Sequence, residues 1–332
     1  MTLIQTLRPE ALAAPESGIV AVVNYGRLRE GLIPLWAGEG DLPTPSFITD
    51  AASKALAGGV EIRPGGRQID HFIAGAIAGA VPVPVTLDHS GNGWSCDVEK
   101  IAAAVTPRTK ALFINTPSNP TGWTADHETL RAILDLARAK GLWIIADEIY
   151  SLFHYGHGRA PSFLDIAEAE DRILFVNSFS KNWAMTGWRV GWVKTHPSLQ
   201  QVFENLIQYS NSGVAQFMQR GAIAALDEGD AFVAEQVERA RKARDLVCGI
   251  LGETGKARFT VPQGAFYLFF TVDGITDSRS AAFDIVDKAN VGLAPGTAFG
   301  PGGEAFLRLC FHRRLDQLEE AAHRLAGWMK TV

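Results

Sequence analysis

Several reactive side chains in this sequence stand directly after short apolar runs. Lys181 closes the stretch RILFVNSFSK. A lysine there either leaves a strand end for solvent, where most lysines sit, or lies at the floor of a cleft as an amine able to condense with an aldehyde. A free lysine has a pKa of about 10.4 and is a poor nucleophile near neutrality. Burial and a neighbouring cation lower that value. Arg189, eight residues on, is a candidate for that cation.

Asp147 ends the run WIIAD. It reads either as a strand-end carboxylate facing water or as a buried one beside a protonated ring nitrogen, where its charge stabilises the cation. Open α/β sheets bind ligands at the carboxyl ends of their strands, and Asp147 falls there. Asn119 lies in the turn Ser-Asn-Pro-Thr-Gly. Turn chemistry alone accounts for Asn, Pro and Gly. A side-chain amide donating to a phenolic oxygen of a bound ring accounts for the Asn as well. Tyr150, three residues past Asp147, is either a packed aromatic or a second donor to that oxygen.

The elements that must hold these residues are legible in the spacing. ALFIN, LWIIADE, RILFVNSFS and RVGWVK are apolar throughout and separated by helical or turn-rich stretches. Such runs predict a largely parallel sheet covered on both faces. Asp126 is placed to cap a helix that runs to about Lys140 and stops at Gly141. Phe47 to Ala57 reads as a short helix. After Pro197 helical spacing dominates, in His196 to Tyr209, Val214 to Leu226 and the long Ala231 to Leu251. GAFYLFFTV and FLRLCF then read as strands, with Ser280 to Val291 and Leu315 to Lys330 as helices.

The chain has 332 residues, more than one hydrophobic core usually serves. We divide it into an N-terminal arm and part of a small domain at 1–45, a large domain at 46–235, and a small C-terminal domain at 236–332. A net charge of −5 without blocks of like charge argues against nucleic acid and anionic membrane as partners. Cys96, Cys248 and Cys310 form no CxxC pair and read as ordinary thiols of a reduced compartment. The N-terminal stretch has no apolar run of signal-peptide length, and the apolar segment from Phe72 to Val85 is short and broken by Pro82 and Pro84. A cytoplasmic protein is the expectation.

The ordered set NPTG, DEIY and SFSK, with an arginine eight residues past the lysine, resembles the class I/II aminotransferases. These are the pyridoxal-phosphate (PLP) enzymes of fold type I related to aspartate aminotransferase. The resemblance runs from about Ala80 to the C-terminus and again from about Leu35 to Ala57. It implies a large α/β domain with a mostly parallel sheet and a smaller α/β C-terminal domain. It implies that Lys181 is the Schiff-base lysine and later the base that moves the substrate's α-proton. Asp147 then partners the pyridine nitrogen, and Asn119 and Tyr150 partner the phenolic oxygen. Ser178 and Arg189 resemble two phosphate ligands. Arg308 resembles the arginine that takes the substrate α-carboxylate as a bidentate pair, and Gly38 the backbone group that meets the same carboxylate. A cis Asn119–Pro120 bond is implied too. So are amino-acid and 2-oxo-acid substrates and a homodimer.

The chain departs from that pattern at 58–80, where GGVEIRPGGRQIDHFIAGAIAGA stands in place of several dozen residues. Those normally supply a tyrosine for the neighbouring subunit's phosphate, a small-residue turn that opens a phosphate-binding helix, and an aromatic residue stacked on the ring. Arg63-Pro-Gly-Gly-Arg67 reads as a surface loop or as a basic, glycine-rich anion loop. Two alternatives follow: a shortened member of the fold that binds PLP weakly, or a PLP lyase that uses the same lysine, aspartate and arginine. Ser178-x-x-Lys181 also spells the SxxK of penicillin-binding enzymes, but Lys194-Thr-His is not the KTG they need. His154 and His157 lack a third metal ligand, and Gly300-Pro-Gly-Gly is a turn, not a dinucleotide fingerprint.

Overall fold

The computed structural model describes residues 17–58, 80–90, 93–210 and 212–332; the loop Arg63–Arg67 lies outside them. In chain order the elements are α1 (Gly18–Gly26), β1 (Ile33–Pro34), α2 (Ser46–Ala57), the hairpin β2 (Asp88–Ser90) and β3 (Gly93–Ser95), and α3 (Val98–Ala104). They continue with β4 (Ala111–Asn115), α4 (His127–Lys140), β5 (Trp143–Asp147), β6 (Ile173–Ser178), α5 (Phe179–Asn182) and β7 (Gly191–Lys194). Three helices follow, α6 (Gln200–Ser210), α7 (Gln216–Glu228) and α8 (Asp230–Glu253). The chain ends with β8 (Ala257–Phe259), β9 (Tyr267–Val272), α9 (Ser278–Ala289), β10 (Val291–Gly292), β11 (Ala294–Pro295), β12 (Phe306–Cys310) and α10 (Leu315–Met329).

The four runs expected as strands form one sheet in the order β4-β5-β6-β7. The first three are parallel and β7 is antiparallel to β6. Their apolar content is what a strand covered on both faces requires, and α4 supplies part of the cover. Asp126 caps that helix by accepting from Thr129 N at 2.8 Å. Gly141 ends it in the left-handed conformation, φ 65°, where a side chain would be strained. Leu130, Ile133, Leu134 and Ala137 then pack onto Leu112, Ile144 and Ala146.

The register sets the carboxyl ends of the parallel strands side by side. Asn115 pairs with Asp147, and Asp147 with Val176, two residues short of Ser178. The second sheet, β11-β12-β9-β8, is antiparallel. Its buried residues share a core with α8, α9 and α10. A parallel pairing of β1 with β10 brings the N-terminal residues Leu35 and Trp36 into that core. A third cluster joins Ile48 of α2 to α5 and α7 through Phe179, Trp183 and Ala225.

Cover on both faces of the first sheet, expected from the sequence, fails at one edge. Every residue of β7 is exposed, and α6 has no buried residue. Apolar composition signals a wish to be buried, but burial itself depends on neighbours. Among the described residues no strand pairs with the outer edge of β7. Residues 80–87 form no regular element, and Val81 is 81% exposed. No helix among the described residues is long and apolar enough to cross a membrane.

Candidate functional site

Lys181 is delivered by the turn that follows β6. Ser178 caps the short α5, its Oγ accepting from Ser180 N at 3.1 Å. The lysine side chain then crosses to the N-terminal loop and donates from Nζ to Gly38 O at 2.7 Å. Burial holds the amine below the ordinary lysine range. Arg189 and Arg308 push the same way, and the charges of Cys310 and Glu39 oppose. A lowered pKa leaves a larger share of the amine neutral near neutrality.

Arg308 comes from the other sheet, directly opposite Phe269 across the β9–β12 pair. It is 2% exposed. Its Nη1 donates to Asn119 Oδ1 at 3.1 Å, and its Nη2 donates to Trp36 O. The guanidinium lies 4.7 Å from the ring centres of both Tyr267 and Phe299. Its Nε is buried without a hydrogen-bond partner. No carboxylate among the described residues forms an ion pair with it. A buried cation compensated only by carbonyls and ring faces is costly, and a planar carboxylate matches the fork it presents.

Asn119 meets Arg308 directly, and Tyr150 lies close to both Arg308 and Asp147. Asp147 is buried at the end of β5, and Ile149 N approaches its Oδ1 at 3.4 Å. Its charge and that of Arg308 are both felt at Tyr150. The Tyr150 hydroxyl is fully buried and pairs with the Tyr267 hydroxyl at 2.7 Å. Burial raises the pKa of both phenols, so both stay protonated near neutrality. The turn holding Asn119 is pinned to β5, because Asn119 N donates to Asn115 Oδ1 at 2.8 Å and Asn115 Nδ2 donates to Asp147 O at 3.2 Å. The Asn119–Pro120 bond is cis.

Ser178 and Arg189 are linked through Ser180, the residue before Lys181. Arg189 takes a left-handed conformation, φ 56°. Its Nη1 reaches Ser180 Oγ at 3.5 Å and donates to Thr186 O. Ser178 Oγ lies within hydrogen-bond distance of Ser180 Oγ at 2.9 Å and of Val190 O at 3.2 Å, its single proton serving one of them. The structure thus gathers Lys181, Asn119, Asp147, Tyr150, Ser178, Arg189, Gly38 and Arg308 around the ends of β4, β5 and β6.

Sequence reasoning missed Tyr267, Trp36, Gln236 and His312. Tyr267 sits so close to the N-terminal loop that a Cβ at position 38 would lie 2.6 Å from its hydroxyl, so Gly38 is required by contact. Gln236 left a signal: it occupies a core position on α8 between Val233 and Ala240. A polar residue at that spacing calls for a buried partner.

Comparison with known proteins adds a consistent picture. The family described as aminotransferase class I and II matches residues 73–325. The chain is 37% identical over 256 residues to an LL-diaminopimelate aminotransferase of Desulforudis audaxviator, covering 77% of this chain and 65% of the relative. It is 36% identical to an arginine–pyruvate transaminase of Pseudomonas aeruginosa, covering 75% and 63%. The matched part thus spans a little under two-thirds of the length of these relatives. In structure, the N-succinyldiaminopimelate aminotransferase of Mycobacterium tuberculosis is similar with a TM-score of 0.87 at 27% identity, covering 97% of this chain and 99% of that one.

Proposed function

Because this chain belongs to the class I and II aminotransferases, we propose that it is a PLP-dependent aminotransferase. It would move an amino group between an amino acid and a 2-oxo acid. The observation that carries this reading is the buried Arg308 guanidinium. It lacks an anionic partner among the described residues, and its charge acts on the amine of Lys181, whose pKa it helps to lower.

The residues fit PLP, the cofactor that members of this family use. The buried carboxylate of Asp147 suits a protonated ring nitrogen, the desolvated amine of Lys181 suits an aldehyde, and the Arg308 guanidinium, its Nε without a hydrogen-bond partner, suits a carboxylate. When bound, PLP supplies an aldehyde and an electron-withdrawing ring. Lys181 would hold the aldehyde, and its free amine would afterwards carry the proton to and from the substrate α-carbon. Asp147 would keep the ring nitrogen protonated through charge in a dry site. Asn119 and Tyr150 would donate to the phenolic oxygen, and Ser178 and Arg189 to the phosphate. Arg308 would take the α-carboxylate through its fork, with Gly38 beside it. We read the assembly as a homodimer and the setting as cytoplasmic, which the three unpaired cysteines support.

The test is to mix the protein and PLP with amino donors and 2-oxo acids, measuring the new 2-oxo acid and ammonia separately. Exchange without ammonia supports the reading. Ammonia release without exchange assigns lyase chemistry instead, and no turnover at saturating PLP overturns it.

A further inference from the structure

Beside Lys181 lies a buried polar chain that the proposed chemistry does not use. Asn182 is the last residue of α5, and its carbonyl is one that so short a helix leaves without an internal donor. Gln236 of α8, with no exposed surface, donates to it from Nε2 at 2.7 Å. Its Oε1 then faces His312 Nε2 at 3.0 Å. The Asn182 carbonyl only accepts, so Gln236 must turn its amide nitrogen there and its oxygen to the imidazole. That orientation puts the imidazole proton on Nε2. His312 itself follows β12, four residues past Arg308.

The ring of His312 is buried among aromatic rings. It stacks on Phe266 at 4.9 Å and 21°, and meets Phe153 edge-on at 5.2 Å. Its remaining edge lies against Gly40, where an added Cβ would fall 2.3 Å from Cδ2. Gly40 is two residues from Gly38, whose carbonyl accepts from Lys181 Nζ. The imidazole therefore touches the loop that receives the amine. Through Gln236 it also holds the turn that carries the lysine backbone.

We propose that Gln236 and His312 form a buried polar strut that positions Lys181, joining its helical turn and its Gly38 acceptor to the end of the strand that carries Arg308. Both act as positioning residues: neither touches the reacting atoms. The placement of an amine against an α-carboxylate site matters because small misplacements of reacting groups cost large factors in rate. The strut's relevance to turnover rests on the amino-transfer reading; its existence does not.

The experiment uses Gln236→Met, which keeps volume but removes both hydrogen bonds, and His312→Phe, which keeps the ring but removes the donor. His312→Gln, which retains an N–H for Gln236, serves as the conservative rescue. The readout is the pH profile of Lys181 acetylation in the cofactor-free protein, followed by peptide mass analysis, beside thermal midpoints. Loss of the strut should let water reach the amine. Its apparent pKa should then rise by about one pH unit, slowing labelling near neutrality about tenfold. Of the groups that face the amine, Glu39, Cys310, Arg189 and Arg308 are unchanged in all variants, and His312, replaced in two of them, is uncharged near neutrality because burial lowers its pKa to about 3. His312→Gln should restore most of the unmodified profile. An unchanged Lys181 profile in Gln236→Met and His312→Phe, whatever their thermal midpoints, would overturn the proposal. A profile that moves in His312→Gln as far as in His312→Phe would do the same. The acetylation arms need no PLP, so a chain that fails to take up PLP would sink the amino-transfer reading while leaving this test intact.

Discussion

At Arg308 a full charge is held in the protein interior by two neutral oxygens and two ring faces. If Arg308 takes the substrate α-carboxylate as proposed, truncating it removes that group's only buried cationic partner among the described residues. For Arg308→Ala we expect kcat/KM for an amino acid to fall by roughly 10²–10⁴, the equivalent of about 3–5 kcal/mol. The absorbance of bound PLP should stay normal. Arg308→Lys keeps the charge but not the planar fork, so it should recover only part of the loss. A rate unchanged in Arg308→Ala would make the arginine structural. Lys181 stood out only within the ordered set NPTG, DEIY and SFSK, because a lone lysine after an apolar run more often faces solvent. Tyr267 was not, since in GAFYLFF nothing distinguishes a tyrosine that meets Tyr150 from one that merely packs. Only the pairing of β9 with β12 brings that hydroxyl into the site.

The elements carry two further expectations. Burial, with Arg239 and Arg313 nearby, lowers the His312 imidazole from its ordinary value to about 3. The unfolded chain therefore binds a proton below about pH 6.5 that the folded chain refuses until about pH 3. Stability should accordingly fall as pH drops through that window, by about 2 kcal/mol from this group at pH 5. Denaturation midpoints at pH 7 and pH 5 check this, and His312→Phe should flatten the difference; an equal acid loss in that variant would contradict it. The second expectation concerns β7 and α6. Val202 and Leu206 are 52% and 58% exposed, and an apolar edge of this kind invites association. Charging them as Val202→Lys and Leu206→Lys should change stability by no more than about 0.5 kcal/mol each while reducing light scattering on concentration. A much larger loss of stability would show that the face is covered. Strands β4, β5 and β6 were readable from composition because their neighbours are close in the chain. The exposure of β7 was not, because an edge is defined by what lies beside it.

At the scale of the whole molecule, the chain spans a little under two-thirds of its relatives' length while preserving the ends of β4, β5 and β6 that assemble the site. A two-fold dimer is the commonest closed assembly, and light scattering at micromolar concentration should give twice the monomer mass; a monomer would contradict it. The account turns, however, on one covalent contact. The protein is incubated with PLP, reduced with borohydride, digested and mapped by mass. The expected result is a single pyridoxyl group, on the peptide that contains Lys181, absent from Lys181→Ala. A pyridoxyl group on a different lysine, or none on Lys181 at saturating PLP, would contradict the account.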